Sequence, residues 1–394
     1  MNTPDIFVLS ATRTAIGTFG GALKDVPLTQ IATTTVREAI ARSGVAAADI
    51  GHVVMGNVIP TDVRDAYLSR VAAIEAGIPQ ETPAFNVNRL CGSALQAVIS
   101  AAQSLMLGDA DFAIGAGAES MSRSPYFMPT ARWGARMGDV QAIDYMVGIL
   151  HDPFHKIHMG ITAENVAARD GITREMQDAL ALESQRRAAK AIAEGRFKSQ
   201  IVPVEITTRK GTVVFDTDEH VRGDVTAEQL AKMKPAFKSD GSVTAGNASG
   251  VNDGAAALVL ATGAAVKARG LKPMARLVSY AQAGVDPTLM GLGPIPASRL
   301  ALKRAGLTVA DLDVIESNEA FAAQACAVTR TLELDPAKVN PNGSGISLGH
   351  PVGATGAIIA TKALYELQRT NGRYALVTMC IGGGQGIAAI FERV

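Results

Sequence analysis

Two stretches decide the architecture: Ala39-Ile-Ala-Arg-Ser-Gly-Val-Ala-Ala-Ala-Asp-Ile50 and Ala301-Leu-Lys-Arg-Ala-Gly-Leu-Thr-Val-Ala-Asp-Leu312. Ala39, Arg42, Gly44, Ala48 and Asp49 recur as Ala301, Arg304, Gly306, Ala310 and Asp311. Each copy reads as a helix stopped by its glycine, a favoured residue just past a helix end. Each then leads into a strand-like run, His52-Val-Val-Met55 or Asp313-Val-Ile-Glu316. Working outward, the later events repeat too. A loop containing Cys91 opens a small-residue helix to about Leu107, and Asp111-Phe-Ala-Ile114 follows as a buried strand. In the second copy His350 precedes a helix over Ala354 to Gln368, and Tyr374-Ala-Leu-Val-Thr378 is the strand. Cys91 and His350 thus occupy nearly equivalent places in two related halves. Five identities in Ala-rich helix persuade only moderately; the shared order of later elements makes the duplication credible. Strands alternating with helices imply an α/β fold, duplicated, with the halves packed in layers.

The 394 residues are enough for two or three domains. The repeat divides them into an N-terminal half (1–121 plus 248–271), an inserted loop or lid domain (122–247) and a C-terminal half (272–394). Met121, Met128, Met137, Met146 and Met159 cluster in the insertion with Tyr126, Phe127, Trp133, Tyr145 and Phe154. One reading is an ordinary insertion with its own small core. The other is a lid or oligomer surface, since methionine-rich apolar surfaces adapt to ligands and partners. A mixture of the two is expected. Hydrophobic residues are 47% and charged residues 19%, which excludes a disordered or highly charged scaffold. Lys+Arg and Asp+Glu both number 37, so no basic excess points to nucleic acid.

The three cysteines, Cys91, Cys326 and Cys380, make no disulfide framework, and a reducing compartment is expected. The first ten residues carry no basic segment and run directly into strand-like Ile6-Phe7-Val8-Leu9, so a cytoplasmic protein is the reading. The apolar stretch Tyr374 to Phe391 contains Gly382, Gly383, Gly384 and Gly386, which suit a turn between strands better than a membrane span. That glycine run is also a feeble dinucleotide signal, because no helix and ribose-binding acid follow it.

Cys91 lies in Asn88-Arg-Leu-Cys-Gly-Ser-Ala-Leu95, just before a helix. The positive helix terminus and its free N–H groups would lower the thiol pKa and make a nucleophile. The commoner fate of a single cysteine is burial in a small-residue core. Cys91-Gly-Ser-Ala-Leu95 also half resembles the papain-like peptidase run, but a second cysteine and an aromatic are missing. Asn318 moreover precedes His350, the reverse of that family's order. His151, His155 and His158 have helical spacing that could suggest a metal, yet Pro153 interrupts the helix and no acidic or cysteine ligand accompanies them. No metal is expected. Cys326 reads as a packed small hydrophobe.

Three further motifs are Asn318-Glu-Ala-Phe-Ala-Ala-Gln324, Gly349-His-Pro-Val-Gly-Ala-Thr-Gly356 and Cys380-Ile-Gly-Gly-Gly-Gln-Gly386. With Asn88-Arg-Leu-Cys-Gly-Ser93, His158-Met-Gly-Ile-Thr-Ala-Glu164 and Ala245-Gly-Asn-Ala-Ser-Gly250, they resemble the thiolase family of acyl-CoA C-acyltransferases. The resemblance runs from Arg13-Thr-Ala-Ile-Gly17 to the last strand and is nearest to bacterial β-ketothiolases for short acyl-CoAs. Asn340-Pro-Asn-Gly-Ser-Gly-Ile-Ser-Leu-Gly349 departs from the commoner Asn-x-x-Gly-Gly-Ala-Ile-Ala pattern, which leaves the substrate range open but not the reaction type.

The resemblance implies a duplicated thiolase-like fold and a reversible Claisen condensation of two acyl-CoAs through an acyl-Cys91 intermediate. Cys91 would attack the first thioester, because a thiolate is a strong nucleophile and the product thioester is isoenergetic. His350 would take the Cys91 proton and return it to departing CoA. Cys380 would remove the α-proton of the second thioester. His350 and a water held by Asn318 would receive the enolate oxygen, and the N–H groups of Cys91 and Gly382 the tetrahedral oxyanion. Leu150, His158, Met159, Arg222, Phe237, Ser249, Ala320 and Phe321 would surround coenzyme A. Coenzyme A and acyl-CoA enter as substrates, with no permanently bound cofactor, no nucleic acid and no membrane partner. A homotetramer, as a dimer of dimers, is the expected assembly. Two alternatives were weighed. A ketoacyl-synthase-like condensing enzyme generally carries two histidines and no catalytic second cysteine, against Cys380 here. An inactive thiolase-like scaffold would not keep Cys91, Asn318, His350 and Cys380 together.

Overall fold

The structure is a computed structural model that describes residues 4–209 and 211–394. Nine strands among the described residues form one continuous sheet path: β1 (Ile6–Thr14), β2 (His52–Gly56), β3 (Ala84–Val87), β4 (Phe112–Ser120), β5 (Asn252–Thr262), β6 (Ala275–Gly284), β7 (Val314–Ser317), β8 (Tyr374–Ile381) and β9 (Gln385–Arg393). Their spatial order is β7-β8-β9-β6-β1-β5-β4-β2-β3. Counted outward from the centre, the N-terminal half places its strands first, fifth, fourth, second, third. The C-terminal half runs β6, β9, β8, β7, and Val339 then bridges Ile315 in parallel where the missing strand would lie. The duplication read from the sequence is therefore a duplication of topology.

The halves meet first strand to first strand. β1 and β6 pair antiparallel, with Ile6 opposite Leu277 and Val8 opposite Ala275. Both strands shift register at the same place, between Val8 and Ser10 and between Leu277 and Ser279. The serine after each bulge turns to the helix behind it. Ser10 Oγ donates to the Ala39 carbonyl at 2.6 Å, and Ser279 Oγ to the Ala301 carbonyl at 2.7 Å. Those two alanines open the repeated sequence.

Seven helices complete the frame needed here: α1 (Leu28–Ser43), α2 (Ser93–Leu107), α3 (Met159–Asp170), α4 (Arg174–Ala193), α5 (Pro294–Ala305), α6 (Ala322–Thr331) and α7 (Thr355–Thr370). α1 ends on Gly44 at φ 75° and α5 on Gly306 at φ 67°, the left-handed conformation that the repeated glycine predicts. α1 covers β1 and β5, and α5 covers β6 and β9. α2 and α7 pack on each other and on strands of both halves, so they form the middle layer. Residues Leu90–Leu107 are apolar and long enough to cross a membrane by composition, but 61% of them are buried inside the fold. The two central helices approach so closely that a Cβ on Gly356 would lie 2.4 Å from the Leu95 nitrogen.

The insertion does not carry an independent core. α3 and α4 pack on α6 of the C-terminal half, and Ala181 and Leu230 are buried together with Ala322 and Ile346. The methionine and aromatic cluster separates. Met121 and Met159 turn inward, whereas Tyr126, Phe127, Met128, Trp133, Met137 and Phe154 are exposed. After this excursion the chain re-enters the N-terminal sheet as β5, between β1 and β4.

Candidate active site

The Cys91 loop links β3 to α2 and is shaped by local hydrogen bonds. Asn88 Oδ1 accepts from Leu90 N–H at 2.9 Å, and Ser93 Oγ accepts from Arg89 N–H at 2.9 Å while donating to the Leu90 carbonyl at 2.6 Å. Leu90 adopts φ 47°, which turns the chain sharply before the cysteine. Gly92 then lies against β8, where an added Cβ would meet Ile381 Cδ1 at 2.6 Å. The nucleophile loop of one half is thus pressed onto the strand that carries Cys380 in the other.

Cys380 is opposite Gly386 in the β8–β9 hairpin and 1% exposed. Gly383 and Gly384 hold φ near +80°, as a tight turn requires. Burial, with the Cys91 sulfur nearby, pushes the Cys380 thiol far above its ordinary pKa. Cys91 is pushed up to about 11, again chiefly by burial; hydrogen bonds from the N–H groups of Gly382 and Cys91 itself pull the other way. The sequence expectation of a lowered pKa is therefore corrected. The helix-end donors are present, but loss of water outweighs them. Those same two N–H groups converge at the sulfur, where an oxyanion formed on an acyl-Cys91 carbonyl would need donors.

His350 is 5% exposed, and burial pushes its imidazole down to about 4. Its Nδ1 lies 2.7 Å from Thr355 Oγ1, which itself donates to the Pro351 carbonyl at 2.9 Å. The threonine proton being used, Nδ1 is the donor and Nε2 carries the acceptor lone pair. Asn318 Nδ2 lies 3.4–3.5 Å from the ring nitrogens, while its Oδ1 is buried without a partner. Asn252 on β5 accepts from His350 N–H. Glu119 near the end of β4 accepts from Gly353 N–H at 2.8 Å. Asn252, Thr355 and Glu119 escaped the sequence reading; a lone glutamate in an otherwise uncharged strand was the available signal for the last.

These elements surround a cavity of about 250 Å³ lined by Cys91, His350, Cys380 and Gly382. Asn318 sits behind His350 and not on the wall. Leu150, His158, Met159, Phe237, Ser249, Ala320 and Phe321 also line it, as do Met121, Ala248, Gly250, Val251, Met290 and Val352. His158 caps α3 by accepting from Gly160 N–H at 3.0 Å and stacks on Phe237 at 4.6 Å between centroids. Phe321 meets Phe237 edge-on at 6.1 Å. Ser249 N–H donates to the Ala320 carbonyl at 2.9 Å, fastening the segment just after the insertion to the C-terminal half.

Arg222 is the exception. It lines a separate hollow with His220, Gln185 and Gly246, and its N–H is held by Gln185 Oε1 at 2.8 Å. The histidine triplet makes no common ligand set: His151 meets His158 edge-on at 5.1 Å between centroids but turns its Nδ1 to the Val147 carbonyl at 2.7 Å, and His155 Nδ1 faces Asp152 at 3.0 Å. Cys326 lines a larger hollow of about 450 Å³ between α4 and α6, which contains none of the other cysteines or histidines.

Comparison with known proteins agrees with this geometry. Residues 6–264 match the family described as "Thiolase, N-terminal domain", and residues 271–393 match "Thiolase, C-terminal domain". The chain is 66% identical to beta-ketothiolase BktB of Cupriavidus necator, covering 100% of both. The crystal structure of Bacillus anthracis acetyl-CoA acetyltransferase superposes with a TM-score of 0.97 at 46% identity, over 100% of this chain and 99% of that one. Human mitochondrial 3-ketoacyl-CoA thiolase in complex with CoA gives 0.96 at 43% identity, over 100% and 98%. With both family domains matched in order along nearly the whole length, and both halves supplying the cavity's cysteines and histidine, the chain belongs to the thiolase family.

Proposed function

We propose that this protein is a β-ketothiolase that condenses acetyl-CoA with a second short acyl-CoA, releasing CoA and a 3-ketoacyl-CoA, and catalyses the reverse thiolysis. One observation carries the assignment: two cysteines and a neutral histidine from different halves share one mostly apolar cavity. Cys91 gives its proton to His350 Nε2 as its sulfur attacks the acetyl-CoA carbonyl. The tetrahedral oxyanion is met by the N–H groups of Cys91 and Gly382, and collapse expels the CoA thiolate, which takes the proton back from His350. Because the thiol is raised and the imidazole lowered, the resting pair is neutral and proton transfer accompanies attack.

Cys380, having first given up its own thiol proton to solvent, then takes the α-proton of the second acyl-CoA as a thiolate. Its enolate oxygen is received by His350 together with a water held by Asn318. The α-carbon attacks the acetyl-Cys91 carbonyl, the carbon–carbon bond forms, and the C–S bond breaks as the Cys91 sulfur leaves with the proton that Cys380 had taken, which restores the Cys380 thiolate. Leu150, His158, Met159, Phe237, Ser249, Ala320 and Phe321 form the channel for the pantetheine arm, and Arg222 stands further out for the nucleotide end. The exposed Tyr126, Phe127, Met128, Trp133 and Met137 support a homotetramer joined through this segment. Three unbridged cysteines support a reducing, cytoplasmic location. The test is CoA-dependent cleavage of acetoacetyl-CoA, with intact-mass detection of acetylated Cys91 after acetyl-CoA is added. Absence of both would overturn the assignment.

A further inference from the structure

Glu119 is the penultimate residue of β4, is fully buried, and has neither Lys nor Arg among its hydrogen-bond partners. Four N–H donors converge on it. Oε1 accepts from Asn57 Nδ2 and Ile59 N–H, both at 3.0 Å; Oε2 accepts from Val58 N–H at 3.1 Å and Gly353 N–H at 2.8 Å. The first three donors follow β2 in the N-terminal half. The fourth lies three residues after His350 in the C-terminal half. Gly353 has no room for a side chain, since a Cβ would lie 2.3 Å from Oε2 and 3.1 Å from Asn57 Cα. Val58 and Ile59 are buried with Met121 and Val352 against Leu90 and Cys91, so the Asn57–Ile59 segment backs the cavity wall to which His350 and Val352 belong.

We infer that Glu119 is a positioning residue, whose carboxylate ties the His350–Gly353 loop of one half to the Asn57–Ile59 segment of the other and so sets the reach from His350 to Cys91. A carboxylate is required because each oxygen faces two donors; an amide of the same size would turn its own NH₂ against N–H groups. Burial raises this carboxyl to about 8, the N–H groups of Ile59, Val58 and Gly353 oppose the rise and Asp253 on β5 adds to it, so the charged clamp is complete above that pH, where kcat and alkylation are both read. Tyr145 from the insertion and Cys91 before α2 are the other titratable groups that feel it. The Glu119 charge pushes the Cys91 thiol up, so removing it should ease ionisation of the nucleophile. Positioning and electrostatics therefore act in opposite directions, which a general loss of structure would not reproduce.

The inference rests on the acyl-transfer reading above, and wild-type thiolysis is measured alongside; its absence would be a failure of that reading alone. In the full-length enzyme, Glu119→Gln should lower kcat for acetoacetyl-CoA thiolysis about 100-fold, with KM within about twofold. The pH profile of Cys91 alkylation by iodoacetamide should move to lower pH in the same protein. A kcat within about threefold of wild type, or a loss confined to KM, would overturn the inference. So would an unshifted alkylation profile. If Glu119→Gln does not fold, Gly353→Ala is read instead, since its Cβ intrudes on the same oxygen with the charge retained. It should lose kcat with the alkylation profile unmoved, and wild-type kcat there would equally overturn the inference.

Discussion

The backbone N–H of His350 donates to Oδ1 of Asn252 at 2.9 Å, across 98 positions of sequence and from one half to the other. Asn252 Nδ2 meanwhile donates to the Gly17 carbonyl at 3.0 Å, so the side chain is held at both ends. The first strand residue after the insertion thereby anchors the histidine loop. Asn252→Ala should leave a buried N–H and a buried carbonyl unmatched, costing about 1–3 kcal/mol for each. We expect a lower Tm and about a tenfold lower kcat, read by thermal melting and thiolysis on one preparation. An unchanged kcat would mean that the tether does not act on catalysis.

The two cysteines should fail differently when removed. Cys91→Ala abolishes both acyl transfer and carbon–carbon bond formation, because no covalent intermediate forms. Cys380→Ser keeps the nucleophile, His350 and the backbone donors, but loses the base for the α-proton. It should still acetylate Cys91 and exchange labelled CoA with acetyl-CoA while being nearly inactive in condensation and thiolysis. Parallel loss of exchange and thiolysis would contradict the division of labour.

A thiol whose pKa is raised stays protonated further up the pH scale. With Cys91 pushed up to about 11, alkylation of the empty enzyme by iodoacetamide should climb about tenfold per pH unit from neutrality and show no plateau near pH 7. Acetyl-CoA should protect Cys91. A plateau beginning below pH 8 would indicate a preformed thiolate, and hence that His350 and the helix end outweigh burial.

Gly386 faces Gly293 so closely that an added Cβ would lie 1.9 Å from the Gly293 carbonyl oxygen. Backbone against backbone has no flexible neighbour to yield. Gly386→Ala should cost about 3 kcal/mol or more and lower Tm more than either cysteine substitution does. Differential scanning calorimetry on the three variants decides this.

Deleting residues 128–142 removes Trp133 and Met137, which are 83% and 97% exposed, without cutting a strand of the main sheet. Light scattering should then report dimers, and a deletion variant that remains tetrameric would remove this segment from the assembly interface.

The fold was legible where local chemistry repeats. The glycine that stops α1 stops α5, and the strand after each reads from its own residues. Cys91 was legible from its place before a helix, whereas His350 and Cys380 were carried by the resemblance of their motifs. Glu119, Asn252 and Thr355 were not legible, because single polar residues acquire meaning only through partners; Glu119 meets Gly353 across 234 positions. The sign of the Cys91 shift was misread for a related reason. Helix position is written locally, whereas burial is a sum over both halves. Arg222 was carried by resemblance alone and lies off the cavity wall.

The antiparallel seam between β1 and β6 relates the halves by an approximate two-fold axis. If two separate, identical copies of one half met at such a seam, symmetry would force the same side chain into both catalytic loops. They could present two cysteines or two histidines, never one of each. Joining the copies in one chain lifts that constraint. Cys91 and His350 occupy equivalent loops yet differ, so covalent linkage makes room for unlike partners, a nucleophile from one half and its base from the other.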